Sequence, residues 1–155
     1  MIFPIDTEIR TADLSSSGEI SETEKECFSD PWDEKTIKNT ITGDIYGCIE
    51  ARVGEETAGH LIYQFISPEC EILRVAVREK FRRHGIGRKM MQYLFSELEK
   101  PAYKKLTYFI EVRESNAPAI SLYKSVGFYQ IYVRKNYYRN PTESALILKK
   151  DFGDF

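Results

Sequence analysis

At 155 residues, 42% hydrophobic and 30% charged, the chain is sized and composed for one globular domain with a sizeable core. A formal net charge of −2 gives no global attraction to nucleic acid or to an anionic membrane, so any anion binding has to be local. Three cysteines, Cys27, Cys48 and Cys70, form an odd set without Cys-x-x-Cys spacing, which argues against a disulfide framework or a zinc site and for a reducing compartment.

The N-terminus lacks a basic flank followed by a long apolar run, and no segment is long and apolar enough to span a membrane. No signal peptide is expected, and the cytoplasm is the expected location. Ile5 to Arg10 reads as a first strand. Asp13 or a following serine caps a helix that runs to about Phe28. Ser29-Asp30-Pro31-Trp32 breaks it, because the residue before proline disfavours the α region and Pro31 has no N–H. Asp33 caps a second short helix from Glu34 to about Thr42. Tyr46 to Val53 and Ala58 to Ile66 read as a hairpin around Gly54-Glu55-Glu56-Thr57. After Pro68, Glu71 to Val77 is the next strand.

The segment Gly87 to Leu98 carries Met90, Met91, Leu94, Phe95 and Leu98 on one helical stripe, and Pro101 follows it. Lys105 to Val112 alternates, with Leu106, Tyr108, Ile110 and Val112 on one face and Thr107, Phe109 and Glu111 on the other. Ser115-Asn116 caps a short helix with Pro118 in its first turn and Gly127 beyond its end. Phe128 to Arg134 and Ser144 to Lys149 are the last strands, with a loop Lys135 to Pro141 between them. No repeat or linker interrupts the chain. Residues 1–155 read as a single domain of α/β or α+β type.

Chemistry concentrates at the turn Arg82-Arg83-His84-Gly85-Ile86-Gly87-Arg88. A strand ends there and a helix begins, leaving backbone N–H groups without intrahelical partners beside several arginines. The glycines let backbone approach a ligand closely, so the turn suits a pyrophosphate. It lacks the Gly-x-x-x-x-Gly-Lys-Ser/Thr run of a nucleotide triphosphatase. Glu111 is a carboxylate among apolar strand residues, suited to act as a general base directly or through a water. Tyr123, on the helix that follows, has a phenol that suits it to protonate a departing thiolate. His60 and His84 have no partner at metal-ligand spacing and read as structural or surface residues; no metal site is expected.

These segments resemble a known family. Arg82 to Arg88 matches the Gln/Arg-x-x-Gly-x-Gly/Ala signature of the GNAT superfamily of N-acetyltransferases. Asn116-Ala117-Pro118-Ala119-Ile120-Ser121-Leu122-Tyr123, followed by Val126-Gly127-Phe128, is similar to the later signature of that family, in its order and at its spacing. The resemblance extends from Ile5 to Lys149. Within the superfamily, Cys27 to Trp32, Ile110 to Asn116 and Arg134 to Tyr138 resemble the bacterial RimI type, whose members acetylate the N-terminal alanine of a small-subunit ribosomal protein.

The resemblance implies a mixed, twisted seven-stranded sheet with splayed central strands and about four flanking helices. It implies acetyl-CoA as co-substrate, a protein N-terminus as acceptor and no metal; the negative net charge argues against a nucleic-acid or membrane partner. It assigns Glu111 as proton acceptor and Tyr123 as proton donor. Val75, Ala76 and Val77 would pair with the co-substrate, Arg83, His84, Gly85, Ile86, Gly87 and Arg88 would hold its pyrophosphate, and Asn116 would add a contact. Trp32 and the Tyr137-Tyr138 loop would line the acceptor slot. His84 departs from the family pattern, where an arginine is usual, and an effect on affinity is expected there. The residues themselves leave open another protein N-terminus, a small-molecule amine, or a CoA-binding domain without catalysis.

Overall fold

The computed structural model describes residues 5–153. Strand β1 (Glu8–Thr11) leads through a short 3-10 turn into helices α1 (Ser17–Cys27) and α2 (Glu34–Thr42). A meander of β2 (Tyr46–Val53), β3 (Glu56–Ile66) and β4 (Glu69–Val77) follows. Helix α3 (Ile86–Leu98), strand β5 (Lys105–Arg113), helix α4 (Ala117–Ser125) and the hairpin β6 (Tyr129–Tyr138) and β7 (Glu143–Gly153) complete the domain.

Local chemistry explains most of these boundaries. Asp33 accepts a 2.8 Å bond from the Thr36 amide, and Asn116 accepts one of 3.3 Å from the Ala119 amide, so both helices start on side-chain caps. Gly54 takes φ +61° in the β2–β3 turn, which closes over Gly54-Glu55 alone and adds Glu56 and Thr57 to the strand. The first strand begins at Glu8, three residues later than the apolar pattern suggests.

The predicted loop after Arg134 is also corrected. Strand β6 continues to Tyr138, carried past an irregularity between Arg134 and Tyr138 in which Asn136 takes φ +52°. Tyr137 and Tyr138 are therefore strand residues. A turn-like Lys-Asn pair reads as a loop locally, but the β7 ladder resumes beyond it, with Tyr138 opposite Glu143.

The strands form one sheet in the order β1-β2-β3-β4-β5-β7-β6, antiparallel at every junction except β4–β5. One face packs on α3 and α4, with Met90, Met91, Leu94, Leu106, Tyr108 and Leu148 fully buried between them. Each such side chain contributes about 1.5–3 kcal/mol relative to an exposed one. The other face holds a smaller cluster, Ala12, Ile20, Ile37, Cys48 and Ile62, under α1 and α2.

Two features of β4 position everything that follows. Tyr63 pairs with Ile72 and Ile62 with Arg74, so Leu73 is an extra residue on β4. The bulge exchanges the faces of the strand. Cys70 and Ile72 belong to the larger core before it, Val75 and Val77 pack against that same core after it, and Leu73 goes to the smaller one. Second, β4 pairs with β5 only from Glu69–Thr107 to Ile72–Ile110. Beyond the bulge the strands diverge.

The close seat of β4 on β3 is testable at Gly59, which faces Val77. A Cβ there would press into the Ala76 carbonyl oxygen and lie 3.3 Å from the Val77 Cα, backbone atoms that cannot rotate away. Gly59→Ala is expected to lower stability by about 1–3 kcal/mol in urea unfolding. An unchanged midpoint would show that the two backbones are not in this contact.

Candidate active site

Where β4 leaves β5, its backbone is half satisfied. The Arg78 amide donates to the Ala58 carbonyl at 2.8 Å, which makes that pair hydrogen-bonded and, by antiparallel alternation, also His60–Ala76. Ala76 therefore turns its N–H and C=O toward β3, while those of Val75 and Val77 point into the gap. The Val77 carbonyl accepts there from Arg82 Nε at 2.8 Å and from the Cys27 thiol at 3.6 Å. Of these three residues, Val75 offers the gap a free amide edge, Val77 shares its carbonyl with Arg82, and Ala76 lines the gap with its backbone polar groups turned to β3.

The gap opens into a cavity of about 600 Å³ between β4, the turn before α3, and α4. Arg83, Gly85, Ile86, Gly87 and Arg88 line it, together with Val75, Ala76, Val77, Asn116 and Tyr123. Gly85 caps α3 with φ +73°, and a Cβ on it would touch nothing, so what the position demands is the left-handed backbone. Arg83 also takes a positive φ of 68°. Gly87 differs: a Cβ there would lie 2.8 Å from Leu122 Cδ2, so a larger residue would displace the end of that side chain. The amides that open α3 precede its first intrahelical bond, Lys89 N–H to Gly85 C=O at 3.0 Å. With Arg82, Arg83 and Arg88 around them they form a positive mouth suited to a phosphate. Arg88 is tied to Ser125 Oγ at 2.7 Å, joining α3 to the end of α4. His84 is half-buried and does not line the cavity.

A second cavity of about 300 Å³ adjoins the first, sharing Cys27, Phe28, Val75, Asn116 and Tyr123 with it. Glu111 lines it from β5 and also lines a groove of about 320 Å³ that includes Glu69, Glu71 and Phe109. Its carboxylate lies 3.2 Å from Arg134 Nη1 and its side chain is 30% exposed. Tyr123 lies on both cavities but is only 5% exposed, its ring edge-on to Phe128 at 6.1 Å. Burial pushes its phenol well above the ordinary tyrosine range, so it stays protonated. Asn116 reaches both cavities while capping α4. Cys27 does too, its thiol raised by burial, the nearby Arg82 opposing this in part.

The residues expected to line an acceptor slot are divided. Tyr138 lines the second cavity, and burial followed by the Glu111 charge raises its phenol to about 12. Tyr137 is exposed, stacked under Arg134 at 4.8 Å and edge-on to Tyr138 at 5.2 Å. Trp32 lines neither cavity and packs on the smaller core, its amide donating to Glu24 Oε1 at 2.9 Å.

That contact belongs to a buried polar cluster that sequence reasoning missed. Glu24 is fully buried and accepts from Arg74 Nη2 at 2.6 Å, while His60 Nε2 lies 2.7 Å from its other oxygen. Desolvation pushes the Glu24 carboxyl up, but the bonds from His60, Arg74 and the Trp32 amide outweigh it and leave the carboxyl below its usual range. A signal was available. Arg74 interrupts the apolar run Ile72 to Val77, and a charge in such a run requires a buried partner. Among the described residues no group of three or more His, Cys, Asp and Glu side chains is arranged to hold a metal ion, and no helix is long and apolar enough to cross a membrane.

Residues 18–128 match the Acetyltransferase (GNAT) family. The [Ribosomal protein bS18]-alanine N-acetyltransferase of Salmonella typhimurium is 35% identical over 144 residues, covering 90% of this chain and 92% of that one. The crystal structure of the ribosomal-protein-S18-alanine N-acetyltransferase from Escherichia coli superposes with a TM-score of 0.86 at 30% identity, covering 97% of this chain and 96% of that one. Arabidopsis thaliana NAA60 in complex with acetyl-CoA shares the fold, with a TM-score of 0.81 at 16% identity over 96% and 99% of the two chains. The family match over residues 18–128 and the identity to the Salmonella enzyme settle the family: the chain belongs to the GNAT family of acetyltransferases.

Proposed function

We propose that the protein transfers an acetyl group from acetyl-CoA to the N-terminal α-amine of a protein, and that its acceptor is the N-terminal alanine of ribosomal protein bS18. The observation that carries this reading is the unpaired edge of Val75, at the junction of two cavities, with Tyr123 at that junction and Glu111 lining the smaller of the two. The acceptor rests on likeness to the enterobacterial bS18-alanine acetyltransferases.

The residues present fit acetyl-CoA. The larger cavity offers an extended backbone edge at Val75 for the amide-bearing arm and free α3 amides with Arg83 and Arg88 for the pyrophosphate. Acyl transfer then divides among groups of this chain. An α-amine, with an ordinary pKa of about 7.7–8.0, is mostly protonated at neutral pH and has to lose a proton before it attacks. Glu111 takes that proton, directly or through water. The Val75 N–H donates to the oxygen of the attacked carbonyl, a contribution of about 3–4 kcal/mol per donor in comparable sites. As the carbon–sulfur bond breaks, Tyr123 gives its proton to the sulfur. Burial that raises the phenol keeps its proton in place until the thiolate forms beside it.

The direct test is an acetyl-transfer assay over peptides differing in their first residues, with alanine-first peptides expected to be preferred. No transfer to any of them would overturn the proposed acceptor. Tyr123→Phe is expected to lower kcat about 100-fold with acetyl-CoA affinity nearly intact; a wild-type kcat would remove the acid role. Glu111→Gln should be most impaired at and below neutral pH and recover as the amine deprotonates above about pH 8. An unchanged pH–rate profile would count against a base at this position. Gly85→Val forces a β-branched residue into a left-handed conformation, and calorimetry should show acetyl-CoA binding at least about tenfold weaker. Undisturbed affinity would relocate the phosphate site.

A further inference from the structure

Each of the two diverging strands carries an arginine that lines the smaller cavity, Arg74 on β4 and Arg113 on β5. Neither side chain is free in that space. Arg74 donates to Glu24 and, through Nη2, to the Asp30 carbonyl at 3.2 Å, and its guanidinium lies 3.8 Å from the Phe28 ring centre and 5.2 Å from that of Trp32. It thereby fastens the connection between α1 and α2. Arg113 donates to the Pro141 carbonyl at 3.0 Å and the Arg139 carbonyl at 2.9 Å, pairs with Glu143 at 3.4 Å, and stacks on Tyr138 at 4.4 Å. It fastens the turn between β6 and β7. Phe28, Asp30, Tyr138 and Pro141 all line the cavity.

We infer that Arg74 and Arg113 are paired positioning residues, each bracketing one wall of the slot that receives the acceptor. The inference rests on the proposed function and extends it to the residues that hold the slot in shape. Only arginine combines a planar face for stacking with several donors directed at carbonyls, so both positions ask for more than positive charge. Substrate contact falls to the walls. The brackets act through Phe28 and Asp30 on one side, and through Tyr138 and Pro141 on the other.

Removing the Arg74 charge would leave buried Glu24 with only His60 and the Trp32 amide as partners, so a neutral variant tests folding more than positioning. Arg74→Lys and Arg113→Lys retain charge and give up the stacked fork. Assayed with an alanine-first peptide, each is expected to raise peptide KM about fivefold to tenfold, with kcat within about threefold and acetyl-CoA Kd by calorimetry within about twofold. Because the two arginines hold separate segments, the double variant should multiply the two KM effects. The inference is overturned by an unchanged peptide KM in either single variant. It is equally overturned if KM and acetyl-CoA Kd rise together, the mark of general loosening, or if the double variant is no worse than one single. Wild-type protein that transfers no acetyl group to any peptide would sink the proposed function and this inference with it. Normal transfer with lysine variants of unchanged KM would sink the inference alone.

Discussion

The structure depends on a parting of strands. β4 and β5 pair over four residues and then separate, leaving polar backbone atoms without the partners a continuous sheet would supply. Unsatisfied amide and carbonyl groups are tolerated in a protein only where water or a ligand reaches them. The gap is therefore both a cost to the sheet and the reason a site exists. The bulge at Leu73 is what makes it usable. One extra residue turns Val75 and Val77 toward α3 and α4 while Arg74 goes to the side of α1. The same strand thus serves an apolar core, a buried ion pair and an open backbone edge within five residues.

Electrostatics divides the site into regions of opposite need. The turn before α3 gathers arginines and free amides around the mouth of the larger cavity. The smaller cavity is held by charges already paired, Glu24 with Arg74 and Glu143 with Arg113. Glu111, between the smaller cavity and the outer groove, keeps an ion pair with Arg134 yet remains part-exposed. A buried pair with several hydrogen bonds resists rearrangement, whereas a part-exposed pair exchanges readily with water and incoming groups. On the proposed function, firm walls would hold the acceptor while an accessible carboxylate takes the proton of its amine.

Much of this was legible in the sequence where the signal is local. Caps at Asp33 and Asn116, the apolar stripe of α3 and the alternation of β5 each follow from chemistry within a few residues, and all appear in the structure. The turn from Arg82 to Arg88 and the segment from Asn116 to Tyr123 carry their own signatures and converge on one cavity. What could not be read depends on pairing across the chain. The continuation of β6 to Tyr138 is decided by β7, the face exchange at Leu73 by β3, and the position of Trp32 by Glu24 and the smaller core. Phe28 and Tyr138 line the smaller cavity stacked with arginines about 46 and 25 residues away, a spacing that no local pattern encodes.

The short seam between β4 and β5 has a consequence for the lifetime of the protein. Mechanically the domain is two half-sheets, β1 to β4 and β5 to β7, joined by four residue pairs and the helices laid across them. On the proposed function, a bound donor bridges these halves, so occupancy and resistance to unfolding rise together. The gain follows the logarithm of donor concentration over its dissociation constant, about 2.7 kcal/mol at a hundredfold excess. Protein in donor-rich surroundings would then be the longer-lived population under proteolysis, and the abundance of the catalyst would track the supply of its substrate.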